Sequence, residues 1–159
     1  MNSTPLDHML LVFHIDERRH ALHMNVVQRV LPMVDVAPLP SAPAVVSGIV
    51  DVAGRIVPVM DLRRRFSLPA RESRVSDVLI LARTAASTVA LPADGVVGVA
   101  ECPQARRTGA DTIVPGIECL SGVAQLDDGV VLIHDLDAFL SLHEQAQLAR
   151  ALRESEVRA

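Results

Sequence analysis

Two stretches of this chain repeat each other loosely, and that repeat limits the possible folds more than any other feature. Gly48-Ile49-Val50-Asp51-Val52-Ala53-Gly54-Arg55-Ile56-Val57-Pro58-Val59-Met60-Asp61-Leu62 is echoed by Gly122-Val123-Ala124-Gln125-Leu126-Asp127-Asp128-Gly129-Val130-Val131-Leu132-Ile133-His134-Asp135-Leu136. Each reads as a glycine, a short strand, a tight turn, a second strand, and an Asp-Leu pair that opens a helical turn. Two similar subdomains follow from this. Asp61 and Asp135 stand where a helix N-cap needs a side-chain acceptor. Pro58 cannot donate a ladder hydrogen bond, so it is expected on an edge strand or at a strand end.

The remaining sequence reads as more short strands. Half of the 159 residues are apolar, yet only Phe13, Phe66 and Phe139 are aromatic. The core must therefore be built from Val, Leu, Ile, Ala and Met, and β-branched side chains favour strands. A hairpin is expected from 9–15 and 20–24. Asn25 is placed to cap a short helix carrying Val26, Val27 and Val30, ended by Pro32. The proline-rich 38–43 segment reads as a stiff connector, 61–66 as one helical turn, and 67–76 as a polar loop. Further strands are expected at 78–82, 88–92 and 95–101, then a long connector over 102–112. The last hairpin spans 120–125 and 130–134 around Asp128-Gly129, and apolar residues at helical spacing from Leu136 to Leu152 predict a C-terminal helix. The expected organisation is a tail at 1–8, a body at 9–142 made of two similar β subdomains, and a helical tail at 143–159. Many short strands with a helix only at the end argue for barrels or a sandwich, not a parallel α/β sheet.

Composition removes several function classes. The net charge is −4 and all fifteen basic residues are Arg, so no broad positive surface exists for a phosphate backbone. Arg63, Arg64, Arg65, Arg71 and Arg74 form a local basic run that reads as a solvated face. Cys102 and Cys119 lack metal or disulfide spacing, which points to a reducing cytoplasm. No apolar run approaches the roughly 18 residues of a membrane span, so direct membrane insertion is not expected. The six histidines show no ligand spacing, and structural roles outweigh a metal site. No nucleophile signature, acid-base pair or phosphate-cradling loop is present. No enzyme chemistry and no cofactor are expected.

The run Pro43-Ala44-Val45-Val46-Ser47-Gly48-Ile49-Val50-Asp51-Val52-Ala53-Gly54-Arg55-Ile56-Val57-Pro58-Val59-Met60-Asp61-Leu62-Arg63 resembles the central signature of CheW-like domains. Leu11-Val12-Phe13, Ala21-Leu22, Val27 to Val30, Asp94-Gly95-Val96-Val97-Gly98-Val99 and the last hairpin resemble other family elements. The resemblance implies an all-β fold of two five-stranded SH3-like barrels around a shared core, with short helices and a C-terminal helix. It implies a non-enzymatic, cofactor-free adaptor in the cytoplasm, recruited to membrane receptor arrays by its partners. Those partners would be the regulatory domain of a CheA-like histidine kinase and the cytoplasmic tip of a methyl-accepting chemoreceptor, with no nucleic acid. Val27, Arg29, Val30, Val52, Ala53, Gly54 and Ile56 would meet partners by this resemblance, and Gly48, Pro58, Asp61, Gly122 and Asp135 would hold turns and caps. Two positions depart from the family: Arg29 replaces a usual acidic residue and Ala53 a usual arginine. Altered rim charge implies an altered partner set. An accessory, non-flagellar pathway, a specialised partner such as a response regulator or dedicated receptor, and a small-molecule sensor using the inter-barrel groove are the alternatives.

Overall fold

A computed structural model describes residues 8–102, 107–109, 120–127 and 129–158. The strands are β1 (Met9–Ile15), β2 (Arg18–His23), β3 (Val27–Pro32), β4 (Val46–Val52), β5 (Arg55–Met60), β6 (Val78–Arg83), β7 (Thr88–Ala93), β8 (Gly95–Glu101), β9 (Arg107–Gly109), β10 (Leu120–Leu126) and β11 (Gly129–His134). Two helices join them, α1 (Leu62–Arg65) and α2 (Leu142–Arg158). One sheet has five strands in the order β3-β6-β7-β5-β4; the other has six, β8-β1-β2-β11-β10-β9, the sixth only three residues long. The all-β fold of two SH3-like barrels with a C-terminal helix is thus as expected. The short β9 falls where only a connector was foreseen; most of the rest of that connector, and Cys119, lie outside the described residues.

The internal echo extends to whole barrels. In each sheet the first three strands are antiparallel, the third and fourth run parallel, and the fourth and fifth form the repeated hairpin. The parallel step is Val59 against Ala90 in one sheet and Ile133 against Ala21 in the other. Register shifts fall at matching places too, at Val46/Gly48 and at Leu120/Gly122. The halves are not consecutive in the chain. β3 to β7 make the five-stranded barrel, whereas the six-stranded one takes β8 to β11 from the C-terminal half and β1–β2 from the N-terminal end.

Strand periodicity explains the continuous apolar runs. Along β1, Leu10 and Val12 point into the six-stranded barrel, while Leu11, Phe13 and Ile15 point into a core shared by both barrels. Along β6, Leu79 and Leu81 fill the five-stranded barrel, and Ile80 and Ala82 join the shared core. Both strands are buried on two faces, so they lack polar alternation. The shared core also takes Leu62 after β5, Leu136 and Phe139 after β11, and Leu148 and Ala151 from α2. The C-terminal helix is therefore docked on the junction.

The caps form as expected. Asp61 accepts a hydrogen bond from the Arg64 N–H at 3.2 Å, and Asp135 from the Asp137 N–H at 3.0 Å. Their backbones match, with φ −104° and ψ 99° at Asp61 and φ −105° and ψ 101° at Asp135. Two expectations are corrected. The helix predicted after Asn25 is a 3-10 turn at Met24–Val26 with no side-chain cap, and Val27 and Val30 lie on β3. Pairing with β6 offers β-branched valines a full ladder, which outweighs a marginal helix. Pro58 lies within β5, which has neighbours on both sides. The two-residue turn makes Val52 and Arg55 a hydrogen-bonded pair, and alternation then leaves Pro58 at a non-hydrogen-bonded position opposite Ile49. On its other side β5 meets β7 only at Val59.

Gly48 is required by close approach. A Cβ there would lie 2.1 Å from the Ala37 carbonyl oxygen, which itself accepts the Ile49 N–H. Gly54, at φ +86°, has open space around a built Cβ. We expect Gly48→Ala to lower stability by about 3 kcal/mol, as overpacking against backbone does, and Gly54→Ala by about 1 kcal/mol from its left-handed backbone alone. Urea midpoints of the two variants check the order.

Candidate partner-binding surfaces and the barrel junction

The seven residues expected to meet partners fall into two groups on the five-stranded barrel. Val27, Arg29 and Val30 lie on edge strand β3; Val52, Ala53, Gly54 and Ile56 lie at the β4–β5 hairpin tip, with β6 and β7 between β3 and β5. Arg29, Val30, Ala53, Gly54 and Ile56 are exposed, while Val27 and Val52 are half-buried. Val52 leans on the barrel core and Val27 on the shared core. The tip is a tight turn with φ +51° at Ala53 and +86° at Gly54, closed by the Asp51 carboxylate accepting the Gly54 N–H at 2.8 Å. This conformation aims Ile56, 54% exposed, outward at the foot of β5.

The same positions recur on the other barrel. Aligning the parallel steps places Val99 opposite Val30 and Val130 opposite Ile56. Val99 is 52% exposed and Val130 59%, against 42% for Val30. Large β-branched side chains left exposed at equivalent places on both barrels are candidates for contact, because packing among the described residues does not use them. The echo already aligns Val130 with Ile56, but it covers only the hairpin, so the match of Val99 to Val30 on the edge strand is not legible in it.

The basic run divides in the structure. Arg63 donates to Asp16 at 2.8 and 3.0 Å and to Asp94 at 3.1 and 3.2 Å. Arg71 donates to Asp77 at 2.9 and 3.2 Å and also to Asp94. Asp94 further accepts the Asp16 N–H at 2.6 Å. One carboxylate between β7 and β8 thus clasps the β1–β2 turn, the start of α1 and the polar loop after it. Burial pushes the Asp94 carboxyl up, but the Asp16 N–H and the two guanidinium groups together hold it below its ordinary value. The bond to Asp16 raises Arg63, and the bond to Asp77 raises Arg71. Arg65 packs over Phe139, 5.3 Å from the ring centre, and holds Glu144 of α2 with bonds of 2.7 and 2.8 Å. Arg64, at 57% side-chain exposure, and the exposed Arg74 fit the solvated reading.

A cleft of about 260 Å³ opens at this junction, lined by Arg63, Arg64, Arg71, Asp61, Asp77 and Asp94 among others. Three guanidinium groups face three carboxylates there, and their ion pairs use them against each other. The arrangement fastens elements together and gives a small anion or cation no net attraction. We expect Asp94→Asn to destabilise the chain by about 1.5–3 kcal/mol, the range for hydrogen bonds to charged groups, and Arg64→Ala to stay within about 0.5 kcal/mol; thermal unfolding compares them.

A family model for the CheW-like domain matches residues 9–144. The chemotaxis protein CheW of Thermotoga maritima is 30% identical over 90 residues, 57% of this chain and 59% of the relative. That of Rhizobium meliloti is 28% identical over 87 residues, 55% and 56% of the two chains. The chain so spans little more than half the length of these curated relatives. A longer match, 146 residues at 24% identity, covers 88% of this chain and 86% of the Treponema pallidum CheW. The crystal structure of the scaffolding protein TtCheW from Thermoanaerobacter tengcongensis has the same fold, with a TM-score of 0.79 at 22% identity over 86% of this chain and 94% of that one.

Proposed function

The chain belongs to the CheW-like domain family, and from that premise we propose that it is a non-enzymatic coupling adaptor of a chemosensory pathway. It would hold the regulatory domain of a CheA-like histidine kinase beside the cytoplasmic tip of a methyl-accepting chemoreceptor. The observation that carries this reading is the duplicated exposed pair, Val30 with Ile56 on one barrel and Val99 with Val130 on the other. An adaptor must contact more than one partner at once, and equivalent apolar positions on two rigidly joined barrels supply two places to do so. Among the described residues no helix is long and apolar enough to cross a membrane. Recruitment from the cytoplasm to receptor arrays would then run through the partners.

The seven contact residues on the five-stranded barrel are assigned to the kinase domain in this reading. Binding of purified chain to the regulatory domain of the cognate CheA-like kinase, followed calorimetrically, tests it. Ile56→Asp should weaken binding by about 2 kcal/mol, roughly thirtyfold, as loss of an apolar anchor does, and Val130→Asp should leave it unchanged. Equal losses in both variants, or no binding by the unmodified chain, would reject the assignment.

Arg29 and Ala53 favour a second reading, in which the partner is a specialised one on an accessory pathway. Both are exposed and both change the rim charge relative to the family pattern. Arg29→Glu combined with Ala53→Arg should then measurably tighten binding to a generic CheA-like regulatory domain, by up to about 1 kcal/mol or roughly fivefold. Unchanged or weaker binding of the double variant counts against the specialised partner.

A further inference from the structure

We propose that His20 and His134 form a proton-operated latch on the seam between β2 and β11, closed at neutral pH and opened by mild acid. The two rings come from positions 114 apart and are 2% and 3% exposed. Their centres lie 4.9 Å apart at an interplanar angle of 25°, and His20 Nδ1 and His134 Nε2 share a hydrogen bond of 2.7 Å. One ring must donate and the other accept, which requires at least one neutral imidazole. The outer nitrogens, His20 Nε2 and His134 Nδ1, are buried without a hydrogen-bond partner among the described residues.

Among the described residues no carboxylate pairs with either ring. Phe13 of β1 stacks on both rings, at 5.7 and 6.4 Å, and Phe66 after α1 meets His134 edge-on at 5.3 Å. The charged neighbours are turned elsewhere or repel. On β2, Arg18 disfavours charge on His20. On the β1 side, Asp16 is bonded to Arg63; on α1, Arg65 is bonded to Glu144; after β11, the Asp135 carboxylate accepts the Asp137 N–H. Burial first, then Arg18, lowers His20 to about 4. Burial first, then His20, lowers His134 to about 3. The closed seam therefore stays uncharged well below the ordinary histidine range.

Position turns this chemistry into a latch. Among the described residues the β2–β11 ladder is Leu132 against His20 and Ile133 against Ala21, with His134 next along β11, so the rings sit on and beside that short ladder. β1 is separately bonded to β8 over six pairs. Opening would split the sheet into β8-β1-β2 and β11-β10-β9 without releasing the N-terminal hairpin. Opened imidazoles regain ordinary basicity, near 6.5, and take up protons that the closed state refuses. Because the folded values are depressed, the stabilisation is full above 6.5 and declines as pH falls from there toward about 4. For two histidines, the opening constant should rise by roughly three orders of magnitude between pH 7.5 and 5. The lowered carboxylates Asp77, Asp94 and Glu144 lose their contribution only below their ordinary values of 3.8 and 4.5. The two effects separate in pH.

The test is hydrogen exchange on the full chain between pH 7.5 and 5, corrected for intrinsic exchange, with the imidazole signals followed by NMR. Protection at Ala21 and Leu132, whose amides face the seam by the phase of the ladders, should fall by roughly a thousandfold while β6 and β7 keep theirs, and the rings should not titrate in the closed state. His20→Phe with His134→Leu should make seam protection independent of pH over the same range. Rings that titrate near 6.5 in an intact sheet would overturn the proposal, as would equal acid sensitivity in the double variant or loss of protection throughout the chain. Should the double variant fail to fold, the ring titration of the unmodified chain decides alone.

Discussion

The two-residue parallel ladder between β2 and β11 closes a barrel whose strands come from opposite ends of the chain, and the rest of the architecture depends on that closure. The five-stranded barrel is built from the segment between, so it behaves as an insertion within the six-stranded one. Closing so long a connection costs chain entropy that grows only slowly with length, and contacts on either side can offset it. Those contacts are the two-faced strands β1 and β6. Each fills its own barrel with one set of side chains and the shared core with the other. The barrels consequently share a core and cannot be cut apart between consecutive residues.

Two kinds of polar grouping stand at the junction, and their difference follows from access to water. At the rim, Arg63, Arg71 and Asp94 keep 14%, 16% and 13% of their side chains exposed, and full charges persist there because each finds several partners. In the interior, His20 and His134 meet each other and two phenyl rings with no acidic partner among the described residues, so they persist as neutral imidazoles. A carboxylate in that place would lack a counter-charge. A purely apolar pair would pack well but could not respond to protons.

Much of the local structure was legible in the sequence. The hairpins, the turn at Ala53-Gly54 and the caps at Asp61 and Asp135 are encoded within a few residues, and each forms as read. Val27 and Val30 were misread because a capping residue before valines is a local helix signal, whereas their strand depends on β6, some fifty positions away. Pro58 was misplaced because the phase of the ladder, and not strand position alone, decides whether a proline is tolerated. Arg63 and Arg71 looked solvated since most of their carboxylates lie 23 to 47 positions distant. Pairing across such separations leaves no spacing for a sequence reader to detect. The swapped order of the second barrel was invisible for the same reason.

Comparison of the two barrels separates what packing demands from what it leaves free. At equivalent interior positions the chain keeps apolar residues: Val50 and Ala124, Val57 and Val131, Val59 and Ile133 are all buried. Outside, exposed apolar residues recur in kind while their neighbours diverge. Arg29 beside Val30 corresponds to Gly98 beside Val99, Arg55 beside Ile56 to Gly129 beside Val130, and Pro32 to Glu101. One barrel thus borders its exposed valine and isoleucine with positive charge, and the other borders its pair with glycine and a carboxylate. Apolar anchors provide affinity with little discrimination, whereas rim charges reject the wrong partner at small cost to the right one. A duplicated scaffold that preserves the anchors and alters the charges can therefore present two similar surfaces to two dissimilar proteins.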